Sequence, residues 1–142
     1  MIIEMDDREP EMQLLSDLNN FGLQFDRKRL KVGDFVYKDL IIERKQIDDF
    51  CSSILDGRIE RQIENMKKCG KKSFIIIVGC IKDRKSNIHE NCILGKCVSL
   101  VLNHGMKIIW CENELQFLYV LKNLCSKYDK EVHNEKEFRN YV

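Results

Sequence analysis

Asp34 is followed by eight residues and then by Glu43, Arg44 and Lys45. Side chains alternate across a β-strand, so in a strand here Glu43 and Lys45 share one face and Arg44 takes the other. A hairpin between Asp34 and Glu43 brings two carboxylates together at a strand end. Such a pair is a hard oxygen site for Mg²⁺, which binds through one or two carboxylates and keeps several waters. A lysine on the same face can hold the attacking water or stabilise charge on phosphorus. The set reads as a phosphodiester-hydrolysis constellation. A charged, solvated strand face carries the same kind of string, and the spacing alone leaves both readings open. Asp6, at the end of the first apolar segment, is a third carboxylate at a strand end.

The elements that must position these residues follow from periodicity. Met1 to Met5 is short, apolar and β-branched, and predicts a strand. Pro10 suits the first turn of a helix whose apolar positions are Leu14, Leu15, Leu18 and Phe21, with Gly22 as its stop. Leu23, Phe25, Leu30 and Val32 alternate with polar residues as in a strand, and Gly33-Asp34 makes a break. Phe35 to Tyr37 and Leu40 to Lys45 predict two strands of a hairpin. Asp48 to Leu55 and Arg58 to Cys69 predict helices, separated by Gly57 and ended by Gly70. Phe74 to Val78 is an unbroken apolar run, the mark of a strand covered on both faces. A polar loop over Lys82 to Asn87 leads to a helix over Cys92 to Leu102. A buried strand over Met106 to Trp110 and an amphipathic helix over Leu115 to Leu124 follow. Residues 129–142 are polar and are expected to fray. The order β-α-β-β-β-α-α-β-α-β-α predicts an α/β, three-layer sandwich: a central mixed sheet with helices on both faces.

The 142 residues make one domain of ordinary size, with 44% hydrophobic and 33% charged residues. That composition excludes a disordered tail, a collagen-like fibre and a low-complexity linker. No apolar run reaches the length of a membrane span, and the N-terminus lacks a signal-peptide pattern. Seven cysteines with no C-x-x-C pair fit a reduced, intracellular compartment, nucleus or cytoplasm. His89, Cys92 and Cys97 form the one metal-like cluster, but no second ligand pair follows, so ordinary small apolar cysteines are expected. Ala and Thr are absent while Ile and Lys number 16 each, which points to an AT-rich coding sequence. The net charge of +1 gives no sign of a nucleic-acid partner. Its distribution is more informative: residues 1–26 carry −6, residues 27–72 carry +5 although they hold several carboxylates, and residues 73–142 carry +2.

Four segments, in order, carry a wider pattern: Met5-Asp6-Asp7-Arg8-Glu9, Val32-Gly33-Asp34-Phe35, Ile42 to Phe50, and Ser53-Ile54-Leu55-Asp56-Gly57-Arg58 with Gln62. They resemble the XPF/Hef family of structure-specific endonucleases. The family's nuclease motif is G-D-x(n)-E-R-K-x-x-x-D. Here it is Gly33-Asp34, Glu43-Arg44-Lys45 and Asp49, complete. The resemblance covers residues 1–128, which would be the nuclease domain, with 129–142 as a polar C-terminal tail. The family's usual helix-hairpin-helix module has no counterpart in this sequence.

The resemblance implies a restriction-endonuclease-like (PD-(D/E)xK) core. It implies a Mg²⁺- or Mn²⁺-dependent endodeoxyribonuclease acting on branched, flap or fork DNA in repair or recombination. Asp34 and Glu43 would bind the metal, with the Arg44 carbonyl nearby, and Asp6 could hold a second or transient ion. Lys45 would position or activate the water, and Asp49 would orient Lys45 or Arg44. Arg8, Arg44 and Arg58 would face phosphates or lock the acidic cluster. Gln62, Lys28 and Lys31 would contact DNA, and Arg27, Arg29 and the 67–72 lysines would add backbone-binding charge. Lysine runs are also what a solvated face carries, and an Asp-Gly-Arg at a helix start can simply cap it. A homodimer or heterodimer through the C-terminal helices is implied, using the apolar stripes of Ile93 to Val101 and Leu115 to Leu124. Two other readings stand beside this one: a catalytically inactive DNA-binding partner subunit, and a generic restriction-type DNase. The intact Asp, Glu and Lys favour an active enzyme.

Overall fold

A computed structural model describes residues 1–9 and 22–141. The helix expected after Pro10 lies outside the described residues. The elements are β1 (Ile2–Asp6), β2 (Gln24–Lys28), β3 (Phe35–Tyr37), β4 (Leu40–Gln46), α1 (Ile47–Leu55), α2 (Ile59–Lys67), β5 (Lys72–Val78), a 3₁₀ turn (Ile81–Asp83), α3 (Glu90–His104), β6 (Lys107–Cys111) and α4 (Glu114–Tyr141).

The strands form one mixed sheet in the order β2-β1-β3-β4-β5-β6. β1–β2, β4–β5 and β5–β6 run parallel, while β1–β3 and β3–β4 run antiparallel. The sheet is covered on both faces, which is why β5 reads as a continuous apolar run. Even-numbered β4 residues Leu40 and Ile42 pack with Phe117, Leu118, Leu121 and Cys125 of α4. Odd-numbered Ile41 packs on the opposite face with Phe50 of α1 and Ile59 and Ile63 of α2. The same division runs through β5, where Ile76 and Val78 face α4 and Ile75 and Ile77 face α1–α3.

The hairpin register decides where the acids go. Met5 pairs with Phe35 and Phe35 with Ile42. One step further along each ladder, Asp6, Asp34 and Glu43 stand in one row. Facing residues of adjacent strands share a side. Ile3, Met5 and Phe35 belong to the α4 side, so the acid row lies on the α1–α3 side. The turn is the two residues Lys38–Asp39, with Lys38 at φ 51.

Three expectations are corrected. β2 ends at Lys28 rather than running on to Val32, because the Leu30 amide is used to bind the Asp6 carboxylate (3.1 Å). A 3₁₀ turn opens the loop expected to be irregular from Lys82. Residues 129–141, expected to fray, continue α4 to Tyr141. Their start is tied down: Tyr37 Oη and Lys38 Nζ donate to the two oxygens of Asp129, at 2.7 and 2.5 Å. His89 caps α3, its Nδ1 accepting from the Asn91 amide (3.0 Å), and is not gathered with Cys92 and Cys97 into a ligand set. Among the described residues no helix is long and apolar enough to cross a membrane.

Candidate active site

The site is built at the carboxyl ends of β1 and β4. The Asp6 amide donates to the Asp34 carbonyl (2.8 Å) and the Asp34 amide to the Ile42 carbonyl (2.9 Å), so the ladder continues past the strands' formal ends. The Arg44 amide donates to Asp34 Oδ2 (2.8 Å). Asp34 is thereby held beside Glu43 with its second oxygen uncommitted by that bond. Glu9 is folded back by its amide bond to the Asp6 carbonyl (3.1 Å), and Arg27 Nη2 fixes this turn by donating to the Asp7 and Glu9 carbonyls. The Glu9 carboxyl lies close enough to that of Asp34 for each to shift the other.

Electrostatics separate these acids into two kinds. Burial is the main force raising the Glu43 carboxyl, to about 8; Asp34 adds to the shift and Lys45 opposes it. Glu9 is pushed up to about 7, first by burial and then by Asp34. Asp34 is also raised by burial, against the pull of the Arg44 amide. Asp6 goes the other way. Burial would raise it, but the Arg8 bond, the Leu30 amide and the charges of Arg8 and Arg29 hold it below its ordinary value. Burial thus outweighs the nearby Arg44 and Lys45 charges at Glu9, Asp34 and Glu43, whereas Arg8, Arg29 and the Leu30 amide outweigh it at Asp6.

That contrast tests the fit of a divalent cation. Among the described residues no three acidic, histidine or cysteine side chains converge into a ready metal cage. A hydrated Mg²⁺ needs only one or two carboxylates. Asp34 and Glu43, adjacent and electrostatically unsatisfied, suit it. Asp6 accepts from Arg8 Nε (2.8 Å) at Oδ2 and from the Leu30 amide at Oδ1, so it offers a cation less uncompensated charge than Asp34 and Glu43 do.

Lys45 is 8% exposed and on the same face as Glu43. Its Nζ donates to Gln62 Oε1 on α2 (3.1 Å). Gln62, expected at the DNA, is thus the group that aims the lysine. Asp49, expected to orient Lys45 or Arg44, stands exposed in the first turn of α1, with no hydrogen bond or ion pair to either. Gln62 and Glu114 hold those two residues instead. Arg44 takes the other face, as strand alternation predicts: on the α4 side its Nε and Nη2 donate to both oxygens of Glu114. Arg8 locks Asp6 and also donates to the Leu30 carbonyl (2.9 Å). Arg58 is exposed at the start of α2, paired with Asp56 (3.1 Å), and makes no bond to the acid row. Lys28 is held by Glu4 (2.8 Å) and Asp26 (3.6 Å), whereas Lys31 is exposed with no partner among the described residues.

Glu114 had no sequence signal, since it lies 70 residues from the arginine it binds. The groove between α4 and the amino ends of β4–β6, about 570 Å³ and lined by Leu40, Phe74, Ile109 and Leu124, is at the opposite end of the sheet from the acids.

The family described as the ERCC4 domain matches residues 5–124. A protein of Methanocaldococcus jannaschii, named as a candidate ATP-dependent RNA helicase, is 35% identical over 126 residues, which is 88% of this chain and 15% of that protein. The 3′-flap repair endonuclease Xpf of Saccharolobus solfataricus is 26% identical over 128 residues, 89% of this chain and 55% of that protein. The chain thus spans well under two thirds of these relatives. Among solved structures, XPF from Aeropyrum pernix superposes with a TM-score of 0.83 at 25% identity, covering 99% of this chain and 71% of that one. The same protein in complex with DNA gives 0.82 at 26% identity, covering 92% and 66%.

Proposed function

The chain belongs to the family defined by the ERCC4 domain, and from that footing we propose that it is a divalent-metal-dependent endodeoxyribonuclease for branched, flap or fork DNA in repair or recombination. The observation that carries the proposal is the row of Asp34 and Glu43 beside Lys45, with two of the three groups buried short of compensating charge. The flap is the substrate named for the S. solfataricus relative, and DNA accompanies the A. pernix one.

In this reading Asp34 and Glu43 hold Mg²⁺ or Mn²⁺. The ion, when bound, supplies Lewis-acid polarisation of a phosphoryl oxygen and lowers the cost of ionising water. The protein's own share is positional. The Arg44 amide fixes the Asp34 carboxylate, and Gln62 fixes the Lys45 ammonium. Lys45 places a positive charge where the attacking water and the phosphate meet, and its burial strengthens that field. Arg8 keeps Asp6 ionised but compensated, so Asp6 shapes the row from its side and offers the ion less than Asp34 and Glu43 do. Lys31 and Arg58, both exposed, contact backbone phosphates, at a cost in affinity that grows with salt.

A second protomer or a related subunit docks on the edge formed by α3, β6 and the start of α4. Ile93 and Leu100 of the expected stripe are core residues, whereas Leu94, Val98, Val101 and Leu102 are exposed. The seven cysteines are free, and burial pushes the Cys97, Cys111 and Cys125 thiols up to about 11, 11 and 12, so they suit a reducing intracellular compartment.

The test is cleavage of labelled flap, fork, four-way junction and linear duplex DNA with Mg²⁺, with Mn²⁺ and with EDTA. Metal-dependent cutting of the branched substrates is expected, and Asp34→Ala or Lys45→Ala should lower it by at least about 10³-fold. No cutting of any substrate would sink the enzyme reading. Cutting that survives both substitutions would sink the site.

A further inference from the structure

We propose that Glu114 is a positioning residue for the metal site: it holds the Arg44 guanidinium on the α4 side of the sheet and so keeps that cation off the acids that take the metal. The inference rests on Asp34 and Glu43 being the metal's ligands.

Arg44 lies between two sets of carboxylates. Its Nε donates to Glu114 Oε2 at 3.1 Å, and Nη2 donates to Glu114 Oε1. Its Nη1 is 3.8 Å from Glu9 Oε2, within ion-pair range but beyond a hydrogen bond. Glu9 and Asp34 are neighbours that shift each other's carboxyls, and the Arg44 amide is itself bonded to Asp34. One residue therefore touches Asp34 through its main chain while its side chain could reach Glu9 by a small rotation. Glu114 is secured from a second direction, since Gln46 Nε2 donates to its Oε1 at 2.7 Å. The guanidinium also lies over the Phe117 ring, 5.6 Å from its centroid.

The Arg44 side chain is 10% exposed. A guanidinium buried to that degree is always charged and needs a carboxylate. With Glu114 present, the two-pronged bond satisfies it. With Glu114 removed, the nearest alternative is Glu9, and Asp34 stands behind it. An arginine clamped there brings its positive charge against the Asp34 carboxylate and opposes a divalent cation at that ligand. Glu114 thus acts on the metal through Arg44, without touching the metal or the substrate.

The probe is Mn²⁺ alone, titrated by calorimetry into the full chain without DNA. Glu114→Gln, which keeps the shape and removes the charge, should weaken Mn²⁺ binding by about tenfold or more. Arg44→Gln combined with Glu114→Gln should bring Kd back to within a fewfold of the unaltered protein, because the competing cation is gone. Cleavage by Glu114→Gln should then approach the unaltered rate at saturating Mn²⁺, the loss appearing in the metal concentration needed. An unchanged Kd in Glu114→Gln overturns the proposal. So does a double variant as weak as the single one, which would make Glu114 a helix-end support only. If Glu114→Gln does not fold, Glu114→Ala, which also removes the charge, supplies the same comparison. If Asp34→Ala binds Mn²⁺ as well as the unaltered protein does, the reading of the ligands fails, which is a separate result from either of these.

Discussion

Glu43 and Glu9 keep protons at pH values where carboxyls ordinarily have none, and this links the site to the stability of the metal-free chain. A carboxyl raised in the folded state binds its proton more tightly there than in the unfolded chain. Its folded-state advantage is therefore present at low pH and is lost as pH climbs from the unfolded value, 4.5, to the folded ones, about 7 and 8. One proton retained across two pH units corresponds to roughly 3 kcal/mol. Thermal melts of the metal-free protein should show stability falling between pH 5.5 and 8.5, with the fall removed in large part by Glu43→Gln. Saturating Mg²⁺ should reverse it at pH 8.5, where the acids are ionised and the cation replaces the proton. A flat melt profile would contradict the burial of these groups. At this scale the sequence was informative about Asp34, Glu43 and Lys45, since strand alternation dictates which of them share a face. It was silent on Gln62 as the lysine's anchor and on Glu114, because both contacts depend on how helices are laid against the sheet.

The hairpin of β3 and β4 is the element on which the site depends. Gly33, at φ +78, turns the chain into β3, and a Cβ there would stand 2.7 Å from Ile41 Cγ1. Gly33→Ala should therefore cost about 2–3 kcal/mol in urea denaturation, from the left-handed backbone and the overlap together, and weaken cleavage by displacing Asp34. Gly57 is the control: also at positive φ (+70), but with open space around it, its alanine variant should cost about 1 kcal/mol and leave the acids in place. Equal costs at both sites would remove the role of the Ile41 contact. Most elements were legible because their periods were unambiguous, as in β5 and α1. Two were not. The alternation of Leu30 and Val32 is that of a strand, yet the Leu30 amide is claimed by Asp6. The polar end of α4 gave no helical stripe, and its first turns past Leu124 are held by Tyr37 and Lys38 through Asp129, contacts 92 and 91 residues apart.

At the scale of the whole molecule, the sheet separates two jobs: the α1–α3 side carries the acids, and the β6 edge carries apolar surface. Leu102 is 77% and Val98 57% exposed on α3, beside Ile108 and Trp110 of β6. Apolar surface gathered at a sheet edge marks an interface. Sedimentation of the Val98→Asp, Leu102→Asp double variant should show self-association weakened by at least about tenfold relative to the parent chain, with the melting temperature unchanged. A parent chain that stays monomeric at high concentration would remove the self-association reading of this edge. The net charge of +1 hides an uneven distribution, because the −6 of residues 1–26 offsets the +5 of residues 27–72. The Lys38–Asp39 turn carries a further meaning in genetic terms. A strand slipped by one residue presents every side chain to the opposite face. Gaining or losing a single codon between β3 and β4 would transpose Glu43 and Lys45 with Arg44, delivering the arginine to the metal side and the acid to α4. The fold has its own reading frame there, and a one-residue indel shifts it.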